Sequence, residues 1–510
     1  MSLDLALNNA RSGLALVNRQ LSQTADNVAN AGTAGYTRKV VNGSALVAGG
    51  QGSGVRGMEV SRQVDSALLV RIDATRASKA ATDLRQDVLQ GVELAHGDPN
   101  NASSLGDLIG TLRTKLVALR DSPAEPLKQS EVVSAAGDAV NRLHSLTNAV
   151  TTARQQAQDG LVSNVQTLNQ SLADIAALTT QIKANTASGQ SVATLEDQRD
   201  TAVSALSKLL EVRAVRAHDG GITLIGRGGI VLPLDASGKA FSVDNASVGP
   251  DAYYGAGGTL SGVMLNGVDV TNQLLGGEIG ENVALRDKTL PGFQAEIDIA
   301  AGQLAQRFDA QGMTLFVGAD GSSLPDLTLD YTDSGLLGFA GSIQVNPAIA
   351  ADHSLVRDGT RNVADGENGA TGFTANPDDG PDSFTTLLDR VLNYTFGRNV
   401  ADGVPQAAFA TTGLGPAGNL SSRLSTASTI EDYAGLVTAS QTAVRSEAAG
   451  LSETSGDLLT TLETSFNDKS GVDIDTEMAA MVTLQNAYAA NARILSVAQS
   501  MYDSLFSAVR

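Results

Sequence analysis

Cysteine is absent from the 510 residues, and so is tryptophan. Without cysteine there can be no disulfide framework, zinc–thiolate centre or thiol nucleophile. Such a chain can cross between redox compartments without forming wrong bridges, which fits export. Aromatic residues make up only 4%, so Ala, Leu and Val must do most of the packing, as they do in bundles of long helices. Positive charge is also scarce, with 35 Lys and Arg against 55 Asp and Glu, a formal net charge of −20. A chain of this sign repels nucleic acid and anionic membranes, and neither is expected as a partner. No apolar run approaches the ~18 residues of a membrane span. The first residues show no basic stretch, apolar core or small-residue cleavage site, so any export is expected to proceed without a cleaved signal. Histidine occurs only at 96, 144, 218 and 353. None has a second His at metal spacing, which disfavours a metal centre or a Ser–His–Asp site. No catalytic residue, metal ligand or cofactor is expected, and the chain reads as a non-enzyme.

What is present is helix at both ends and strand in the middle. Leu7, Ala10, Leu14, Val17, Leu21, Thr24 and Val28 fall at spacings of three and four, a heptad seam. Ile474, Met478, Met481, Gln485, Tyr488, Ala492, Leu495, Ala498, Tyr502, Leu505 and Val509 repeat the rhythm at the other end. At ~1.5 Å per residue these helices would be ~40 and ~55 Å long. Further helices are predicted over 64–95, 103–120, 129–187, 191–210, 293–311, 382–396 and 430–466. Between 212 and 425, Gly pairs punctuate short β-type runs such as Ile222–Ile225, Ile230–Leu232 and Val268–Val270, which read as antiparallel strands and turns. A small strand-rich patch is predicted at 36–62. The fold class is therefore mainly α with β-rich insertions: a long antiparallel helical bundle or coiled coil from both termini, with antiparallel β outer domains inserted in the middle. The expected division is an inner coiled coil of 1–35 with 472–510; a helical bundle of 36–211 and 426–471 with the helix at 291–312; a β-rich outer domain of 212–290; and a second mixed insert of 313–425.

Charge separates the end helices from the rest. Residues 1–35 carry only Asp4, Arg11, Arg19 and Asp26, and residues 478–509 only Arg493 and Asp503, well below the chain average of 18%. A solvated helix normally shows a charged outer face. An uncharged polar face can be packed against neighbours with little desolvation cost. The end helices are thus expected to be surrounded by protein in the working state. The alternative is an ordinary intramolecular hairpin.

Three local patterns could suggest chemistry. Gly52-Ser53-Gly54-Val55-Arg56-Gly57 matches a dinucleotide-loop spacing, but strand-like Met58–Ser61 follows where a helix is needed, so a turn is expected. Gly226–Gly229 lacks the Lys and Ser/Thr of a phosphate loop and also reads as a turn. Asp378, Asp379 and Asp382 lack the full calcium-loop pattern and read as a solvated loop.

The stretch Asn27-Val28-Ala29-Asn30-Ala31-Gly32-Thr33-Ala34-Gly35-Tyr36-Thr37-Arg38 is a helix stop: Gly32 and Gly35 supply flexible backbone, while Asn30 and Thr33 can bond the last carbonyls. It resembles the signature of flagellar rod, hook and hook-junction subunits. Ser470–Asp475 leading into Glu477-Met478, Gln485, Tyr488, Asn491 and Leu495 is similar to the terminal helix of the hook-associated protein 1 family. Leu195–Asp200 and Val345–Asp352 fit that family too. The resemblance implies a structural subunit joining hook to filament in an extracellular tube. It would be exported through the flagellar apparatus and bound to copies of itself, to the hook protein and to the second hook–filament junction protein, with an export chaperone on the last helix. The residues it singles out for assembly are Leu7, Leu14, Val17, Leu21, Val28, Asn30, Thr33, Gly35, Tyr36, Arg38, Met478, Met481, Gln485, Tyr488, Asn491, Leu495, Tyr502 and Leu505. The alternatives are another axial subunit of hook or rod type, and a displayed enzyme or carbohydrate binder acting through 212–425.

Overall fold

The computed structural model describes residues 3–48, 50–98 and 101–508. Val509 of the heptad seam lies outside them. The chain opens with α1 (Leu3–Ala29), a hairpin of β1 (Lys39–Ala48) and β2 (Gln51–Arg62), and then α2 (Ser66–Ala95), α3 (Leu105–Asp121), α4 (Pro126–Ala187) and α5 (Ala193–Leu209). Local chemistry sets these limits. Asp65 caps α2 by accepting from Leu68 N, and Ser104 with Asp107 forms a capping box on α3. Pro126 sits in the first turn of α4, and Gly189 follows its end at φ +67°, where a Cβ would be strained.

Short ladders follow. Strands β3 (Val212–Arg216), β4 (Ile222–Gly226) and β5 (Val231–Leu232) form one antiparallel sheet, and β6 (Phe241–Ser242), β7 (Met264–Leu265) and β8 (Val268–Asp269) another. Then α6 (Gly277–Ala284) runs through a π turn at Leu285–Thr289 into α7 (Leu290–Asp309). Residues 277–290, expected in the β-rich part, are therefore helical. The Gly276-Gly277 pair reads as a turn, yet it opens a helix against the end of α5. A Cβ on Gly277 would lie 2.6 Å from the Leu209 backbone.

The stretch 313–425 holds two-residue and three-residue strands in two-stranded pairs: β9 (Phe316–Val317) with β10 (Gln344–Val345), β11 (Asn399–Ala401) with β12 (Val404–Pro405), and β13 (Thr412–Leu414) with β14 (Leu420–Ser421). Among them lie α8 (Pro347–Ala351), α9 (Leu355–Asp358) and α10 (Thr386–Arg390). Two long helices close the chain, α11 (Ile430–Ser470) and α12 (Ile474–Ala508). The protein is mainly helical with small antiparallel sheets in its middle, as the sequence predicts.

Among the described residues two large hydrophobic cores and a small cluster of Val248, Ala252 and Leu260 account for the body. The larger joins α2, α3, α7 and the first part of α4, from Val132 to Ala157, with residues of 313–437. The other packs Leu161, Val165, Leu168, Leu172 and Ile175 of α4 against α5 and the strands of 212–274. Each buried Leu or Ile contributes roughly 1.5–3 kcal/mol.

Gly52–Gly57 is strand, not turn. Glycines 43, 54 and 57 of the hairpin lie against α1. A Cβ on Gly43 would come within 2.7 Å of Leu16, one on Gly54 within 2.6 Å of Ser12, and one on Gly57 within 3.1 Å of Arg19. Their spacing serves close packing of a ribbon on a helix. Ser12 Oγ accepts from Val55 N, and Arg19 donates to Gly57 O.

Candidate assembly surface and its anchoring joint

Helices α1 and α12 pair antiparallel. Tyr502 donates to Asp4, Gly13 lies where a Cβ would press on Asn491, and Asn27 donates to Glu477. Within the pair, Ala10, Val17, Thr24 and Asn27 of α1 are buried, but only Glu477 and Ala498 of α12 are. Leu7, Leu14, Leu21 and Val28 are half-buried, as are Met481, Asn491, Leu495 and Tyr502. Met478, Gln485, Tyr488 and Leu505 are exposed and lie outside the intramolecular seam, a correction to the heptad assignment. Of the predicted seam, Leu495 and Ala498 are covered; Leu484, Ala487 and Asn491 are half-buried as well, and Asn491 lies against Gly13 of α1. Because α12 is apolar around most of its circumference, apolarity could not fix the phase. Ile474, Met478, Val482, Tyr488, Ile494, Val497, Met501, Leu505 and Phe506 stand exposed on this one helix. An apolar surface of this extent marks an interaction site.

Beneath the pair lies a polar joint built from three separated stretches. Helix α1 stops where Asn30 Nδ2 donates to Asp26 O and Thr33 N to Asn30 O, with Gly35 at φ +77°. Gly35 faces Thr201 of α5, where a Cβ would sit 2.5 Å from Oγ1. Beyond the stop, Thr37 Oγ1 donates to Asp197 at 2.6 Å, and Lys39 Nζ donates to the same carboxylate at 2.5 Å. The Lys39 ammonium also lies 3.3 Å from the centroid of the Tyr36 ring, a cation–π contact. Arg62 bridges Asp197 and Asp200, and Arg216 adds a second contact to Asp200. Burial lowers the Lys39 pKa, opposed by its bond to Asp197. The Tyr36 hydroxyl is pushed up to about 12 by burial and by the Asp26 charge.

The last helix enters the same joint. Glu477, 1% exposed, accepts from Arg38 Nε at 2.6 Å and from Asn27 Nδ2 at 3.2 Å. Asn27 in turn accepts from Tyr36 OH and Lys39 N and donates to Lys39 O. Arg38 N donates to Ser470 O, and Ser470 Oγ accepts from Asp65 N. Residues 471–473 link α11 to α12, so these bonds fix the base of the pair where it has least covalent support. A buried charge left alone would be costly, and here each charge has a partner. Of the residues singled out from the sequence, Tyr36 and Arg38 fall in this network, while Asn30, Thr33 and Gly35 shape its backbone. Asn27, Lys39, Arg62, Asp197 and Asp200 were missed as contact residues. Asp197 and Asp200 do lie in the Leu195–Asp200 stretch, which was the available signal.

The family model described as the flagellar hook-associated protein FlgK helical domain matches residues 89–324. The flagellar basal body rod FlgEFG protein C-terminal model matches 464–508. Flagellar hook-associated protein 1 of Bacillus subtilis is 24% identical over 99% of this chain and 98% of its own length. The Escherichia coli protein of the same name is 24% identical over 98% and 99%. The chain belongs to the flagellar hook-associated protein 1 family. It is thereby a structural component of the flagellum and not an enzyme. The solved flagellar hook junction protein FlgK from Burkholderia pseudomallei is 24% identical, with a TM-score of 0.38 over 50% of this chain and 45% of that one. The other internal stretch read as family-like, Val345–Asp352, has a packing role here. Asn346 caps α8 by accepting from Ala348 N and donates to Thr314 O, and the neighbouring Ile343 O bonds His144 of α4. Among the described residues no cluster of His, Asp and Glu could hold a metal, and no helix is long and apolar enough to cross a membrane.

Proposed function

We infer that this hook-associated protein 1 family member joins hook to filament through its terminal helix pair, which is completed by neighbouring subunits. The observation that carries this is the set of nine large apolar side chains left in solvent on α12, a helix whose only charges beyond its first turn are Arg493 and Asp503. The pair polymerises into the inner wall of a tube whose contacts are copies of this chain, the hook protein on one side and the second junction protein on the other. The tube is extracellular, and the subunit reaches it through the flagellar export apparatus with a chaperone on α12. An exposed apolar helix needs cover before assembly, which supports that last step. The residues proposed for contact with neighbours are the exposed Met478, Gln485, Tyr488 and Leu505. The half-buried Leu7, Leu14, Leu21, Met481 and Tyr502 hold the pair itself. Removing 472–510 tests the reading. The remaining chain should keep its cooperative melting, while electron microscopy shows hooks without filaments and flagellin in the medium. Normal filaments on such cells would overturn the inference.

A further inference from the structure

A cavity of ≈ 550 Å³ opens between α7, the loop at 324–328 and the β11–β12 hairpin. Its size is that of a small-ligand site. Arg307, on its wall, is 2% exposed. Among the described residues, other deeply buried guanidiniums differ in their supply: Arg199 makes one bond, to Gly220 O, and lines no comparable cavity wall with free amide oxygens, while two others are fully engaged. Arg286 makes a bidentate pair with Asp287, and Arg154 donates to the carbonyls of Arg286, Gly249 and Ala252. Arg307 has only two long bonds of 3.3 Å, to Gln303 Oε1 and Gly397 O, and one face on the Phe409 ring. Its Nη2 has no hydrogen-bond partner among the described residues, and no carboxylate pairs with it there. Burial alone draws its pKa down to about 10. A buried cation with no counter-charge is an expensive feature unless something anionic joins it.

The rest of the wall is unlike a phosphate cradle. Gln306 and Gln406 use their amide nitrogens on Pro325 O and on Tyr394 O, which leaves each Oε1 without a partner among the described residues. Asn368, held at φ +48°, has its whole side-chain amide unengaged there. These are acceptors for hydroxyl groups. Pro325, Leu327 and Val404 supply an apolar strip. The carboxylate of Asp326, on the rim, is occupied by Thr328 N and Oγ1. One cation, several free amide oxygens and an apolar wall match a small molecule with one carboxylate, several hydroxyls and a C–H face.

We propose that this cavity binds an acidic monosaccharide of the uronate class, its carboxylate on Arg307 and its hydroxyls on Gln306, Gln406 and Asn368. The full-length protein is titrated with D-glucuronate, D-glucose and acetate by calorimetry and ligand-observed NMR. Glucuronate should bind saturably and at least about tenfold more tightly than either control, since a charge-assisted pair and the hydroxyl contacts act together. Arg307→Gln should weaken it by at least about tenfold while melting no lower than the parent, because a buried lone charge has gone. Asn368→Asp, on an exposed rim residue, keeps the test open if Arg307→Gln does not fold. It should weaken glucuronate while leaving the body's melting unchanged. The proposal is overturned if the parent shows no saturable glucuronate binding, if acetate or glucose binds as well, or if the folded variants bind as the parent does.

Discussion

Helices α4 and α12 are both long, and the more apolar of the two is the less buried. Of the 62 residues of α4, 23 are buried, drawn from a stripe that returns every three or four positions. Of the 35 residues of α12, two are buried. Helix α4 has already found its partners within the chain. Helix α12 has found one, α1, and leaves the remainder of its surface exposed, which the proposed function assigns to neighbouring subunits. Burial in the monomer therefore does not measure how apolar a helix is. On the proposed function, the mismatch between the two measures how much packing is deferred to assembly.

Paired truncations sharpen this contrast most. Leu146→Ala, at a fully buried site of α4, should destabilise the isolated protein by about 2–5 kcal/mol. Val497→Ala, on the exposed side of α12, should change it by less than about 0.5 kcal/mol yet reduce incorporation into flagella. Denaturant melting and flagellar yield check the pair. Equal stability losses at the two sites would erase the distinction between settled and deferred packing.

The joint gives an intermediate case. Glu477→Gln keeps the shape but removes the charge facing Arg38, and should cost about 2 kcal/mol. The loss should appear as faster hydrogen exchange in α1 and α12 with the body's protection unchanged. Uniform loss across the protein would mean that pair and body are one cooperative unit.

A pH-dependent effect comes from Asp73, in the body just under the joint. Burial raises its pKa from 3.8 to about 6, opposed by the Ser204 hydroxyl and the Arg76 charge, with Asp200 raising it further and Arg216 lowering it. Between these values the folded protein holds a proton that the unfolded chain has released. Stability from this group is therefore fully present below about pH 4, falls as pH rises to about 6 and is level above. Asp73→Asn should remove that fall, about 3 kcal/mol. The buried Asp298, also raised to about 6 by burial, stays in place as an internal reference. A pH profile unchanged by the substitution would place the titration elsewhere.

The long helices were legible because their stops are local. Pro126, Gly189 and the Asp65 and Ser104 caps lie in the sequence beside the elements they bound, so 126–187 was foreseen to within three residues at its start. The strand at Gly52–Gly57 was not. Glycine there answers to Ser12, Leu16 and Arg19, some forty residues away, and only the docked helix explains it. The helix starting at Gly277 was hidden for the same reason. The joint was half legible. Tyr36, Arg38 and Glu477 stood in recognisable stretches, but that Lys39 meets Asp197 across 158 positions is a property of the fold. The face of α12 could not be phased because its apolar residues are spread around most of its circumference and form no single stripe.

Helix α4 belongs to two cores at once. Its first part, through Ala157, is packed in one and its stretch from Leu161 onward in the other, with no break in the hydrogen-bonded backbone between. At ~1.5 Å per residue it is a strut of roughly 90 Å. Twisting or bending either core must load the other through a stiff axle rather than through a slack tether, a fitting property for a coupling inside a rotating propeller.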